Sequence, residues 1–166
     1  MAEAVFRYLI HPSHPLIAEV DSAGTVAYHV GGSPDRRTMK TLLANGITEY
    51  RHVARKVTAT DFERFDWIFA MDQENWEDLA YMRNRLMKKR RGATGNTEAE
   101  DSLGKVMLWG SAGGFIGEQV VDPYYGVDNG FDVCFEQMMR FGKGFLKSLD
   151  ESARTIPATK VSMDGA

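Results

Sequence analysis

The stretch Val120-Val121-Asp122-Pro123-Tyr124-Tyr125-Gly126 places one carboxylate beside two phenol rings. Pro123 removes a backbone donor and fixes its own φ, and Gly126 permits a turn, so the segment reads as a loop. The residue before a proline is held extended, which can carry the Asp122 side chain away from the chain. A carboxylic acid beside an aromatic wall suits one kind of chemistry: an aryl group stacks while its oxygen departs with a proton. Taken alone, these residues fit a surface turn with two tyrosines better than an acid catalyst, because short motifs recur by chance.

The elements that must position this loop follow from periodicity. The chain has 166 residues, of which 43% are hydrophobic and 26% charged, with a net charge of -3. That is one domain able to bury a core without staples. The negative charge speaks against a nucleic-acid binder held by phosphate contacts. No apolar run is long enough to span a bilayer, no secretory leader opens the chain, and the cytoplasm is the expected compartment. The lone Cys134 excludes an internal disulfide and a cysteine-built zinc site.

Residues 1–10 read as a helix that has no cap ahead of it. Ile17–Ser22 reads as a short strand, and Ser33-Pro34-Asp35 as a helix start with Ser33 as the cap. Gly46 is the expected left-handed stop of that helix. Thr58–Asp61 reads as a capping box. Trp67–Met71 has the pattern of a strand buried on both faces, and Asp72 can cap the helix that follows. That helix finishes in Lys88, Lys89, Arg90 and Arg91, a solvated basic end rather than a binding patch. Residues 92–102 read as a mobile surface insertion, Lys105–Trp109 as a strand, and Gly130–Leu149 as a long helix with Cys134 near its apolar face. Residues 151–166 read as a disordered tail after a domain of residues 1–150. Alternation of strands and helices predicts an α/β fold, a doubly wound parallel sheet with flanking helices.

Several segments together carry a resemblance: MAEAVFR, VDSAGT, GGSPDRR, HVAR-x-VT-x-x-DF-x-x-FDWI-x-x-MD, and DPYYG before a long helix. In this order they resemble the low-molecular-weight protein tyrosine phosphatases, over most of residues 1–149. The resemblance implies a four-stranded parallel sheet and hydrolysis of phosphotyrosine through a phosphocysteine. It implies Asp122 as general acid, Tyr124 and Tyr125 as the wall beside the substrate ring, and Tyr28 with His29 as the opposite wall. Ser22 and His52 would brace the phosphate-binding loop, with Asp72 at a strand end beside it. Phosphotyrosine proteins or small aryl phosphates are the implied partners, and no cofactor or metal is implied.

One departure is large. The family binds phosphate with a C-x5-R-[ST] loop at a helix N-terminus, where backbone N–H groups and the arginine fork hold the dianion. In the family that loop and a central strand come just before the residues matching Met1–Phe6. The expectation is therefore a chain begun at an internal methionine, inactive as written, with a gap of about 10 Å between Ile17–Ser22 and Trp67–Met71 where a strand of about 4.8 Å spacing on each side is missing. The alternatives are a non-catalytic binding or regulatory protein and, ranked lower, an arsenate reductase of the same fold, for which one thiol is too few.

Overall fold

The computed structural model describes residues 1–10, 14–94, 102–125 and 129–155. Six helices and two strands are described: α1 (Ala2–Leu9), α2 (Arg36–Ala44), α3 (Asp61–Arg64), β1 (Trp67–Ala70), α4 (Gln73–Thr94), β2 (Lys105–Leu108), α5 (Trp109–Ala112) and α6 (Gly130–Thr155). The strands pair in parallel, with Trp67 opposite Lys105 and Ala70 opposite Leu108. A parallel pair needs a crossover, and α4 supplies it.

Packing divides between two faces. On one, α1 and α6 meet through Val5, Phe6, Met138, Phe141 and Phe145. Edge-on ring contacts link Phe6 to Trp109 and Phe69 to Phe145, at 5.4 and 4.9 Å between centroids, a favoured aromatic geometry. On the other, Phe62, Leu79 and Leu103 pack with Trp76, Met82 and Leu86 of α4. The α5–α6 contact is close enough that a Cβ on Gly144 would fall on the Gly113 carbonyl oxygen.

Local signals placed most helix ends. Helix α2 stops as the sequence predicts. Gly46 takes φ +82°, Ile47 N–H donates to the Leu42 carbonyl at 2.9 Å and Gly46 N–H to Leu43 at 3.1 Å, the paired bonds of a left-handed helix stop. Asp72 caps α4 by accepting from Asn75 N–H at 2.7 Å. The Asp61 carboxylate accepts from both Thr58 N–H and its hydroxyl, at 2.7 and 3.0 Å.

Five expectations need correction. The cap of α2 is Asp35, whose carboxylate accepts from Arg37 N–H at 2.7 Å, not Ser33. Ile17–Ser22 forms no strand; among the described residues no neighbouring segment offers it a ladder, and the Val20 carbonyl instead accepts from the Arg7 guanidinium. A lone parallel bridge joins Gly24 to Lys56 just after it. β1 is less covered than a two-sided strand: Trp67 is exposed and only Ala70 is fully buried, because a cleft opens beside it. The supposed insertion begins as helix, since α4 continues through Thr94; residues 95–101 lie outside the described residues. The tail also begins as helix, since α6 runs through Thr155; residues 156–166 lie outside the described residues.

Candidate functional site

Asp122 sits at the exit from the Val120 segment, where Val120 N–H donates to the Met71 carbonyl at 2.8 Å. That bond anchors the loop to the end of β1. Pro123–Tyr125 then makes one 3-10 turn, started by Asp122 itself, whose Oδ1 accepts from Tyr124 N–H at 2.9 Å. An aspartate turning its own backbone two residues on is a common loop device.

Arg37 holds this loop from the first turn of α2. Its guanidinium lies between the rings of Tyr124 and Phe131, at 4.7 and 4.6 Å from their centroids. It also donates to the Tyr124 carbonyl at 3.3 Å and pairs with Asp35 at 2.9 Å. Hydrogen bonds from the Arg37 side chain and backbone hold the Asp35 carboxyl below the usual range, and the same pairing raises the guanidinium.

Asp122 and Tyr124 stand on the rim of a cleft of about 570 Å³, together with Ser22 and Asp72. Deeper in, the lining is apolar and includes Phe6, Phe69, Trp109 and Cys134. The structure thus brings Asp122, Tyr124, Ser22 and Asp72 around one opening. His52 lies behind it rather than on its wall. Tyr28, 87% exposed, and His29 lie on the turn outside the lining. The side chain of Tyr125 lies outside what the structure describes, as does Gly126.

Behind Ser22 lies a buried acid the sequence reading passed over. Glu3, on α1, is only 4% exposed. Its Oε2 accepts from the Ser22 hydroxyl at 2.6 Å and the Tyr50 hydroxyl at 3.1 Å, and lies 3.1 Å from His52 Nδ1. Its Oε1 lies 3.0 Å from the Arg7 guanidinium. A charged residue among Ala2, Ala4, Val5 and Phe6, on the buried side of a helix, is the signal that could have found it, because buried carboxylates need partners. Burial comes first, then the neighbouring Glu3 carboxylate, in pushing the Tyr50 phenol well above its usual range.

A second network lies alongside. Arg55 donates to Asp21 at 2.8 Å and to Asp61 at 2.9 Å. Burial alone would raise the Asp61 carboxyl, but hydrogen bonds from Arg55 and Thr58 outweigh it and hold the group below its usual range. Ligand-type atoms of Glu3, Asp21 and His52 lie within 4.8 Å of one another. Their oxygens already receive Ser22, Tyr50 and Arg55, and a cation there would face two guanidiniums. The trio's carboxylates are thus engaged by donors from the surrounding chain.

Cys134 and Arg140 are six residues apart, which by letter is C-x5-R, but Phe141 follows where Ser or Thr would stand. Both lie inside α6. Six steps of about 100° leave their side chains about 120° apart around the helix. Arg140 pairs with Glu118 and stacks on Phe115, while Cys134 is 6% exposed. Burial, with the Asp122 charge adding to it, pushes the Cys134 thiol up. No phosphate cradle arises from this pair.

Fold and cleft together define a doubly wound α/β protein with a parallel sheet, flanking helices and a carboxylate-bearing proline loop at the cleft rim. The chain belongs to the low molecular weight phosphotyrosine protein phosphatase family, whose model matches residues 1–155. The Schizosaccharomyces pombe protein of that name is 41% identical over 152 residues, covering 90% of this chain and 87% of its own length. The human one is 35% identical over 150 residues, covering 89% and 85%. Among solved structures, a Drosophila arginine phosphatase is 31% identical with a TM-score of 0.73, covering 89% of this chain and 87% of its own. A protein tyrosine phosphatase from Entamoeba histolytica, with Hepes in its active site, is 28% identical with a TM-score of 0.71, covering 92% and 88%.

Proposed function

We propose that this chain carries the proton-donating side of a site for phosphotyrosine proteins or small aryl phosphates, and that these 166 residues do not hydrolyse such esters by themselves. Asp122 is the group that would protonate a leaving phenolate, and Tyr124 and Tyr125 the wall along its ring. Tyr28 and His29 extend the exposed surface that a larger substrate would meet. Ser22 and His52 would brace a phosphate-binding loop, with Asp72 at the strand end beside it. The reading is of a cytoplasmic protein that uses no cofactor, and localisation of a tagged chain to a secretory compartment would contradict it.

One observation carries the proposal: the thiol of Cys134 is buried inside α6. Nucleophilic attack needs the thiolate, and burial in apolar surroundings opposes it. The rim adds a second obstacle. Asp21, Asp35, Asp72 and Asp122 all border the opening, and a phosphoryl group carrying about two negative charges is repelled there. Arg55, in the lining, and Arg37, beside it, are engaged with Asp21, Asp61 and Asp35.

The test is hydrolysis of para-nitrophenyl phosphate by the purified chain, beside Cys134→Ser and Asp122→Asn. All three should match buffer. Turnover by the parent that vanishes in Cys134→Ser would install that thiol as nucleophile and overturn the proposal. A second reading is a non-catalytic binder, favoured by Tyr124, which is 55% exposed on the rim. It predicts calorimetric binding of an aryl phosphate that Tyr124→Ala abolishes.

A further inference from the structure

The outer face of α4 sorts its charges by sign along the helix. Glu74, Glu77, Asp78, Tyr81, Arg85, Lys88 and Lys89 are exposed at three- and four-residue spacing, which is one stripe of an α-helix. Acids fill its first half and bases its second. Every charged pair at helical-neighbour spacing on the stripe is therefore a like pair: Glu74 with Glu77 and Asp78, Arg85 with Lys88 and Lys89. Such pairs cost an isolated helix stability. Complementing the helix dipole explains only part of the pattern, because that effect falls off within the first and last turns. Glu74 and Arg91 stand in those turns, whereas Asp78, Arg85, Lys88 and Lys89 do not.

Among the described residues, Glu74, Glu77, Asp78, Lys88 and Lys89 make no ion pair; Glu77 accepts only from the Gln73 side chain, at 3.0 Å. Arg85 lies over the ring of Tyr81, 5.8 Å from its centroid, and Tyr81 is 64% exposed. None of these side chains lines the cleft.

A stripe that runs acidic, aromatic, basic is complementary to itself when reversed. Glu77 to Lys88 and Asp78 to Lys89 are each a step of eleven residues, about three turns. Glu77 and Lys88 therefore share one flank of the stripe, and Asp78 and Lys89 the other, with Tyr81 and Arg85 between. A two-fold axis at right angles to the helix, midway between Tyr81 and Arg85, lays each flank on the same flank of a second copy. Glu77 then faces Lys88 of the other copy, Asp78 faces its Lys89 and Tyr81 its Arg85, and each contact occurs twice. We propose that two copies of this chain pair antiparallel through α4. From Glu74 to Lys89 the stripe is about 22 Å long at about 1.5 Å per residue. The interface is therefore of the small, weak class, under about 1,200 Å², held by charge and opened by salt. It is independent of the function read at the cleft.

The test is sedimentation equilibrium of the full chain and of two double variants, Glu77→Lys with Asp78→Lys and Lys88→Glu with Lys89→Glu. At low salt the parent chain shows a monomer–dimer equilibrium. Raising salt from about 10 mM to about 1 M shortens the screening length from about 30 to about 3 Å and weakens that association at least about tenfold. Each variant alone meets like charge on both flanks and associates at least about tenfold more weakly than the parent. Mixed in equal amounts, the two variants restore opposite charge at both flanks and form a heterodimer within about threefold of the parent's affinity. All four substituted positions are exposed, and the salt dependence is read on the unsubstituted chain. The proposal fails if the parent stays monomeric at low salt, or if salt or the variants leave its association unchanged. It also fails if the mixed variants do not pair.

Discussion

Replacing Glu3 by alanine should cost far more than replacing it by glutamine. The Glu3 carboxylate gathers the Ser22 and Tyr50 hydroxyls, His52 Nδ1 and the Arg7 guanidinium within 3.1 Å. In Glu3→Ala, the Tyr50 hydroxyl is stranded in a buried position, at about 1–3 kcal/mol. Ser22 is partly exposed and recovers water, so it loses only the net value of a bond to a charged acceptor, about 1.5–3 kcal/mol at most. Arg7 is half-exposed, and its pairing is worth under about 1 kcal/mol. These contributions share one carboxylate and do not add independently; removing one partner of a buried charged network usually costs about 3–5 kcal/mol, the figure expected here. In Glu3→Gln, the amide oxygen can still accept from the Ser22 and Tyr50 hydroxyls while its NH2 faces Arg7, so the cost falls to about 1–2 kcal/mol. Urea unfolding followed by tryptophan fluorescence reads the difference. With a slope of about 2 kcal/mol/M, the alanine midpoint drops by about 1.5–2.5 M and the glutamine midpoint by less than about 1 M. Equal losses in the two variants, or an alanine shift under about 0.5 M, would refute the reasoning.

Three further outcomes are expected. Gly144→Ala drives a methyl into the Gly113 carbonyl and should cost about 1–3 kcal/mol or more as α6 is forced off α5; an unchanged urea midpoint would deny that close approach. Cys134 should react with iodoacetamide at least about tenfold more slowly in the native chain than in urea, because the thiolate is disfavoured by burial; equal rates would contradict its burial. Asp61 is held below its usual range, so its contribution is complete above about pH 4 and is lost as pH falls below that. Asp61→Asn should flatten the loss of stability as pH falls below about 4, and an undiminished slope would remove Asp61 from the account.

What was legible in the chain was its local chemistry. Gly46 and Asp72 work as their residue types predict, because caps and turns depend on neighbours a few positions away; of the Thr58–Asp61 box only the Asp61 half forms, and the cap of α3 is Thr60 with no side-chain bond. The apolar periodicities of α1, α4 and α6 were legible for the same reason. Strand Ile17–Ser22 was not, since a strand exists only with a partner, and the partner is a property of the whole sheet. Helix α6 outran its prediction because polar residues such as Ser152 and Arg154 continue a solvated helix without apolar spacing. The site was half legible. Asp122 and Tyr124 announce themselves beside Pro123, whereas Glu3 and Arg37 matter through contacts 47 and 87 positions away.

Arg37, seated between Tyr124 and Phe131, makes the pose of the acid loop a dependent variable of a distant helix start. A cation clasped by two rings resists removal more than it resists sliding, so the loop should rock with α2 as one lever and not flap alone. Substituting Arg37 would uncouple the lever, and the distance of Asp122 from anything in the cleft would then spread into a distribution. The setting of Asp122 thus passes through a side chain that lies outside the cleft lining.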